Sequence, residues 1–211
     1  DARGHLRRCL PPGAGGVSGA GGAGGADSLT GTALDVAALL EALTVVAEVS
    51  GQQRHLDHAE RLAEELLGRY WDPAAGGVFT RARDLPALAV SMKDVLDNAT
   101  PSANSLAAVG LVRLGLLRDS ARYSAAGRDV LRLIAAPMTN HPLAFAHALP
   151  ALVLNDRATV LDIGATLTPA EVPSRPGVVV RHSELARCEW GSATLCRNGV
   201  VVASAPAAAA A

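Results

Sequence analysis

Ser91-Met92-Lys93-Asp94-Val95-Leu96-Asp97-Asn98-Ala99-Thr100-Pro101-Ser102-Ala103-Asn104-Ser105 is the densest run of hydrogen-bonding side chains in a sequence otherwise rich in alanine and leucine. It leads into Leu106, Val109, Leu111, Val112, Leu114, Leu116 and Leu117, with Arg113 the one charge among them. A helix that is apolar on every side is a buried one. Thr100 suits the N-cap, and Pro101 suits the first helical position, where its missing N–H costs nothing. The run is therefore read as the polar entrance to a buried helix, Pro101 to about Leu117.

Upstream, a helix from Thr32 to about Val49 is also apolar nearly all round, with Asp35, Glu41 and Glu48 its charges. Gln53 to Tyr70 differs: Leu56, Ala59, Leu62, Ala63, Leu66, Leu67 and Tyr70 make one stripe at helical spacing, and charged residues cover the rest. Trp71 to Phe79 holds Asp72-Pro73 and Gly76-Gly77, the marks of a turn before a short strand. Downstream, Asp119-Ser120 starts a second striped helix to about Ala136, with Pro137 to Pro142 as a break. Leu143 to about Leu154 is apolar again, with His147 embedded and Pro150 set to kink it. The order is buried, surface, buried, surface, buried. That alternation is expected of helical hairpins in two rings, an inner helix touching neighbours on all sides and an outer helix touching inward only.

Both ends differ from this body. Residues 1–31 read as a short strand (His5 to Leu10) and a Gly-rich flexible linker. Gly19, Gly21 and Gly24 fit G-x-G-x-x-G by chance, since no strand precedes them. After the barrel portion, 32–155, short β-branched runs at Thr159–Ile163, Gly177–Val180, Ala193–Cys196 and Val200–Val202 predict a small β-containing appendage, 156–206, before an alanine tail, 207–211.

Nearly half the residues are hydrophobic but only 3% are aromatic, so the core must be aliphatic. A net charge of -1 argues against a general affinity for nucleic acid or anionic membrane. Cys9, Cys188 and Cys196 are odd in number and widely spaced, which reads as free thiols in a reducing compartment. With no signal peptide and no bilayer-length apolar run, a cytoplasmic location is expected. Asp1 is not a natural start, and the chain is expected to be a fragment.

Tyr70-Trp71-Asp72 with Gly76-Gly77-Val78-Phe79, followed by Lys93-Asp94 and Asp97 to Ser105, resembles the C-terminal part of thioredoxin-domain-containing proteins of the spermatogenesis-associated type. The family run, Lys-Asp-x-x-Asp-Gly-Ala-Thr-Pro-Ser-Gly-Asn-Ser, is kept except for Asn98 and Ala103 in place of the glycines. The tail around Cys196-Arg197-Asn198-Gly199 is similar too. The resemblance implies an N-terminal thioredoxin-like domain and an (α/α)6 barrel like that of N-acylglucosamine 2-epimerases and six-hairpin glycosidases. It runs from about Asp35 to Asn198, the final third of a full-length member. The thioredoxin-like domain is missing, so no redox activity carries over. An Asp-Asp-Tyr-Ala element is here Leu34-Asp35-Val36-Ala37, and the family's second tail cysteine would fall at Val201. The expected architecture is thus mainly α: a partial (α/α)6 toroid of about two and a half hairpins with a small β-containing C-terminal appendage.

Asp94 and Asp97, three residues apart, could share acid and base roles if their surroundings split their pKa values. His147, on a helix bordering the expected cavity, is the third catalytic candidate. Lys93, Thr100, Ser102 and Asn104 present donors near a helix N-terminus, where a sugar acid or phosphate could bind, and Asp72 joins them as a substrate-binding candidate. The alternative is structural: Thr100 caps, Asp97 complements the helix dipole, and Asn98 and Asn104 pin the loop. Asn98-Ala99-Thr100 fits a glycosylation sequon, but Pro101 argues against its use. His55 and His58 have metal-ligand spacing but no third ligand, so neither metal nor cofactor is expected.

Two functions stay open. One is a C-terminal fragment of a carbohydrate-related enzyme of epimerase or glycosidase type that takes a small sugar-like ligand. The other is a non-catalytic helical scaffold whose apolar inner helices meet the missing N-terminal barrel and thioredoxin-like domain, or self-associate.

Overall fold

The helical body opens at Thr32. Its hydroxyl oxygen accepts from Asp35 N, and the Asp35 carboxylate accepts from Thr32 N at 2.8 Å. This capping box is worth about 1 kcal/mol to the helix it starts. That helix is α1, Ala33–Ser50. The computed structural model describes residues 6–7, 31–86, 90–163, 176–182, 192–197 and 200–206. Most of the expected N-terminal strand, all of the Gly-rich linker and the alanine tail lie outside the described residues.

Helix α2, Gln53–Glu65, buries Leu56, Ala59 and Ala63 on one stripe, as its spacing predicts. It widens into a π-helical turn, Leu66–Tyr70, that seats Leu66 and Tyr70 in the core. The Tyr70 hydroxyl donates to the Gly31 carbonyl at 2.7 Å, and burial pushes its pKa up to about 12. Trp71 and Val78 then make a single antiparallel bridge across the Asp72–Gly77 turn, in place of the short strand the sequence suggests.

Helix α3, Ala103–Leu117, has 13 of its 15 residues buried and packs against α1 on one side and α4, Ala121–Asn140, on the other. Close approach is allowed at Gly110, where a Cβ would lie 2.8 Å from Leu40 Cγ. A 3-10 segment, Pro142–Ala148, and helix α5, Leu149–Arg157, complete the helical part and also touch α3.

Three expectations are corrected. The N-cap of α3 is Ser102, and Thr100 is an exposed loop residue; the Asp97 carboxylate captures Ser102 N, and Ser102 Oγ accepts from Ser105 N. Pro137 does not break α4. The helix runs on to Asn140, with Pro137 exposed in its last turn and His141 N still donating to the Pro137 carbonyl at 3.0 Å. Pro150 starts α5 instead of kinking a longer helix.

The expected burial holds fully for α3 alone. On α1, Ala38, Leu39, Ala42, Val45, Val46 and Val49 are exposed, and on α5 Leu149, Leu152 and Val153 are exposed. Apolar composition predicts burial only where a neighbour exists, and among the described residues nothing covers these faces.

The appendage is a four-stranded sheet, ordered β2-β1-β3-β4, from Thr159–Ile163 (β1), Val178–His182 (β2), Ser192–Arg197 (β3) and Val200–Pro206 (β4). β2 runs parallel to β1, while β3 pairs antiparallel with both β1 and β4. Asp162 and Arg181 face each other across β1 and β2 and form a buried two-point ion pair. Their hydrogen bond holds the Arg181 guanidinium above its ordinary pKa, more than offsetting burial. Glu48 of α1 ties the sheet to the helices: it accepts from Val180 N at 2.9 Å, and its other oxygen pairs with Arg113 of α3. The chain is therefore mainly helical with a small C-terminal sheet.

Candidate functional site

The polar run folds across the entrance of α3, and its side chains are largely turned inward. Lys93 Nζ lies 2.8 Å from Asp72 Oδ2, donates to the Gly76 carbonyl at 2.6 Å, and sits 5.2 Å from the Phe79 ring centroid. Both members of this ion pair keep only 15% side-chain exposure. The second Asp72 oxygen accepts from Ala74 N and Ala75 N. The Lys93 bond and these N–H groups hold the Asp72 carboxyl below its usual range.

Asn104 is fully buried and uses its amide as an extended residue uses its backbone. Its Oδ1 accepts from Val78 N at 2.8 Å, and its Nδ2 donates to the Val78 carbonyl at 3.1 Å and to the Asp94 carbonyl at 2.7 Å. Gly77 makes room: at φ +74 it adopts a left-handed conformation, and a Cβ there would lie 2.6 Å from Asn104 Oδ1. Asp94 Oδ2 accepts from Ala103 N at 3.2 Å. Asp97 accepts from Ser102 N through one oxygen and from His147 N through the other, both at 2.8 Å. Burial raises the Asp97 pKa, but these N–H groups and the Ser102 and Ser105 hydroxyls outweigh it and leave the carboxyl below its usual range. Ser102 Oγ donates to Ser105 Oγ at 2.9 Å.

The structure thus joins Lys93 to Asp72, Asp94 to Asn104, and Asp97 to Ser102 and His147, and leaves Thr100 at the surface. These bonds fix main chain and seat a helix. The more accessible chemistry is at His147, whose Nε2 lies 2.8 Å from Glu41 Oε2 with side-chain exposures of 31% and 19%. A carboxylate that orients an imidazole can serve proton transfer. Sequence reasoning counted Glu41 only as a charge on an apolar helix. The signal was there, since a carboxylate among so many apolar neighbours needs a partner.

A cavity of about 460 Å³ lies elsewhere, between the C-terminal half of α3, the start of α4, the end of α5 and the sheet. Arg128, Ser124, Asn155, Arg181 and Cys196 contribute to its lining, and none of the catalytic or substrate-binding candidates does. Cys196 Sγ donates to Asp162 Oδ2 at 3.5 Å. Among the described residues no three His, Cys, Asp or Glu side chains could together hold a metal, and no helix is long and apolar enough to cross a membrane.

Over 112 residues, 53% of this chain, the sequence is 35% identical to spermatogenesis-associated protein 20 of Mus musculus. The chain is partly homologous to that protein. The human counterpart is 34% identical over 114 residues and the Rattus norvegicus one 34% over 112. The aligned part is 14% of the length of each spermatogenesis-associated protein 20, so the chain matches about a seventh of these relatives against the final third its motifs implied. No family model matches the sequence.

Proposed function

We propose that this chain is a non-catalytic helical module, a portion of a toroid of helical hairpins whose ancestry is carbohydrate-related. On this reading the run Lys93 to Ser105 is kept to build the wall of the fold. One observation carries it: the buried polar groups of the run use their hydrogen-bonding capacity inside the molecule, with Asn104 alone fixing both Val78 and Asp94. A site that binds a sugar must hold such donors and acceptors in reserve. Calorimetry of the purified chain with a panel of monosaccharides tests the proposal. No saturable heat is expected, and a fitted dissociation constant below about 1 mM would overturn it.

The second reading is that the chain supplies acid–base groups to a sugar-handling enzyme completed by other segments. The Glu41–His147 pair favours it. In that case Asp97 acts as a positioning residue, since its carboxylate holds His147 N. Loss of sugar binding in His147→Gln and Glu41→Gln, with unchanged melting temperature, is the result that would select this reading.

A further inference from the structure

We infer that the cavity between α3, α4, α5 and the sheet is a binding site for a small organic monocarboxylate with an apolar body. It shares no residue with the run Lys93 to Ser105, so the site goes beyond the scaffold reading and does not depend on it. Its volume, about 460 Å³, lies within the roughly 300–1,000 Å³ of small-molecule sites. Ser120, Ser124 and Arg128 line it at successive four-residue steps, which places them on one face of α4. Ser120 is the N-cap of that helix, yet its hydroxyl makes no capping bond. Among the described residues the two serine hydroxyls, the Arg128 guanidinium and the Asn155 amide of α5 have no hydrogen-bond or ion-pair partner. Asn104 and Asp97 fill their hydrogen-bonding capacity inside the molecule, whereas these groups border a cavity with theirs uncommitted.

The charges of the lining select the ligand. They are Arg128, Arg181 and Asp119. Arg181 is held in its two-point pair by Asp162, and Asp119, which is exposed to water, also acts on Arg181. Arg128 is left as the one charge of the lining without a counter-charge. A single uncompensated guanidinium matches a ligand with one negative charge, and its planar fork fits the two oxygens of a carboxylate. The start of α4 forms the same wall, and its partial positive charge favours an anion there. Ser124, one turn before Arg128, can donate to the same carboxylate, because side chains on a helix lean toward its N-terminus. Val112, Leu154 and Val160 supply apolar wall for the rest of the molecule.

The test is titration of the isotope-labelled full chain, followed by its amide NMR signals. The probes are sodium benzoate and hexanoate, with benzamide as the uncharged counterpart and phenyl phosphate as the doubly charged one. At least one carboxylate should saturate with a dissociation constant of about 0.1–1 mM and move the signals of Gly115, Ser124 and Asn155, which line the cavity. Benzamide and phenyl phosphate should bind about 10-fold more weakly or less. Arg128→Gln should weaken the carboxylate about 10-fold or more, and Arg128→Lys about 3-fold, since it keeps the charge and loses the fork. Arg132→Gln, one turn further along α4 and outside the lining, should change nothing. Arg128 has no partner to strand, so melting temperatures of its variants should stay within about 2 °C of the parent. No saturation by either carboxylate at about 10 mM, full affinity in Arg128→Gln, shifts confined to residues away from the cavity, or equal binding of benzamide or phenyl phosphate would each overturn the inference. Neutral monosaccharides carry no carboxylate, so their calorimetry reads the scaffold role separately.

Discussion

Replacing Asn104 by alanine separates a structural polar cluster from a functional one. The substitution removes three side-chain hydrogen bonds. The Asp94 carbonyl keeps a partner, because Asn104 N still donates to it at 3.2 Å. Val78 N and O lose theirs, and Val78 is wholly buried. Each stranded backbone group costs about 1–3 kcal/mol, so the variant should lose about 4 kcal/mol. For a chain of this size that lowers the melting temperature by roughly 8–15 °C. Ser102→Ala removes the cap bond from Ser105 N and the bond to the Ser105 hydroxyl and should cost about 1–2 kcal/mol, whereas Thr100→Ala, at an exposed loop position, should stay within about 0.5 kcal/mol. Thermal melts by circular dichroism read all three. A fall below about 2 °C for Asn104→Ala, or a Thr100→Ala effect as large as that of Ser102→Ala, would refute this account of the cluster.

Two further outcomes follow from the charges. The folded-state pKa of Asp97 is depressed, so its contribution to stability is present above the ordinary carboxylate value of about 4 and is lost as pH falls through the folded value; Asp97→Asn should flatten this acid limb in melts taken between about pH 2 and 5, and an unchanged limb would count against it. In the sheet, Asp162→Ala strands the Arg181 guanidinium, which is 6% exposed, and should cost about 3–5 kcal/mol in urea titrations, while an Asp162→Leu, Arg181→Met double substitution should recover most of that.

The helical body was legible because composition and spacing agreed. One charge in α3 announced its burial, and the α2 stripe fell on the buried residues. The misreadings have local causes. Thr100-Pro101 carries the same start signal as Ser102, and the choice between them is made by Asp97, five residues upstream of the cap it helps, through a loop whose path no spacing rule gives. Pro137 reads as a breaker, yet a proline in the last turn of a helix removes only one bond of the ladder, and α4 continues past it to Asn140. The candidate site was harder. Lys93 and Asp72 are 21 residues apart, and His147 is 106 residues from Glu41, so their pairing depends on how the helices pack. The sequence showed which polar residues were gathered near α3 but not that most of them face inward.

The attachment of the sheet has a consequence for the order of folding. Glu48 accepts from Val180 N and its carbonyl contacts His182 Nε2, across 132 and 134 residues of chain. A Cβ on Gly51, the residue that closes α1, would sit 2.6 Å from the His182 ring, so the two surfaces meet without slack. Contacts this distant in sequence carry a large loop-closure cost and form late. During synthesis α1 emerges long before β2 exists, and its C-terminal turn waits for a partner made at the far end of the chain. Stopped-flow refolding should then show the helical signal well ahead of amide protection at Val180, with Glu48 as the joint that turns two early pieces into one cooperative unit.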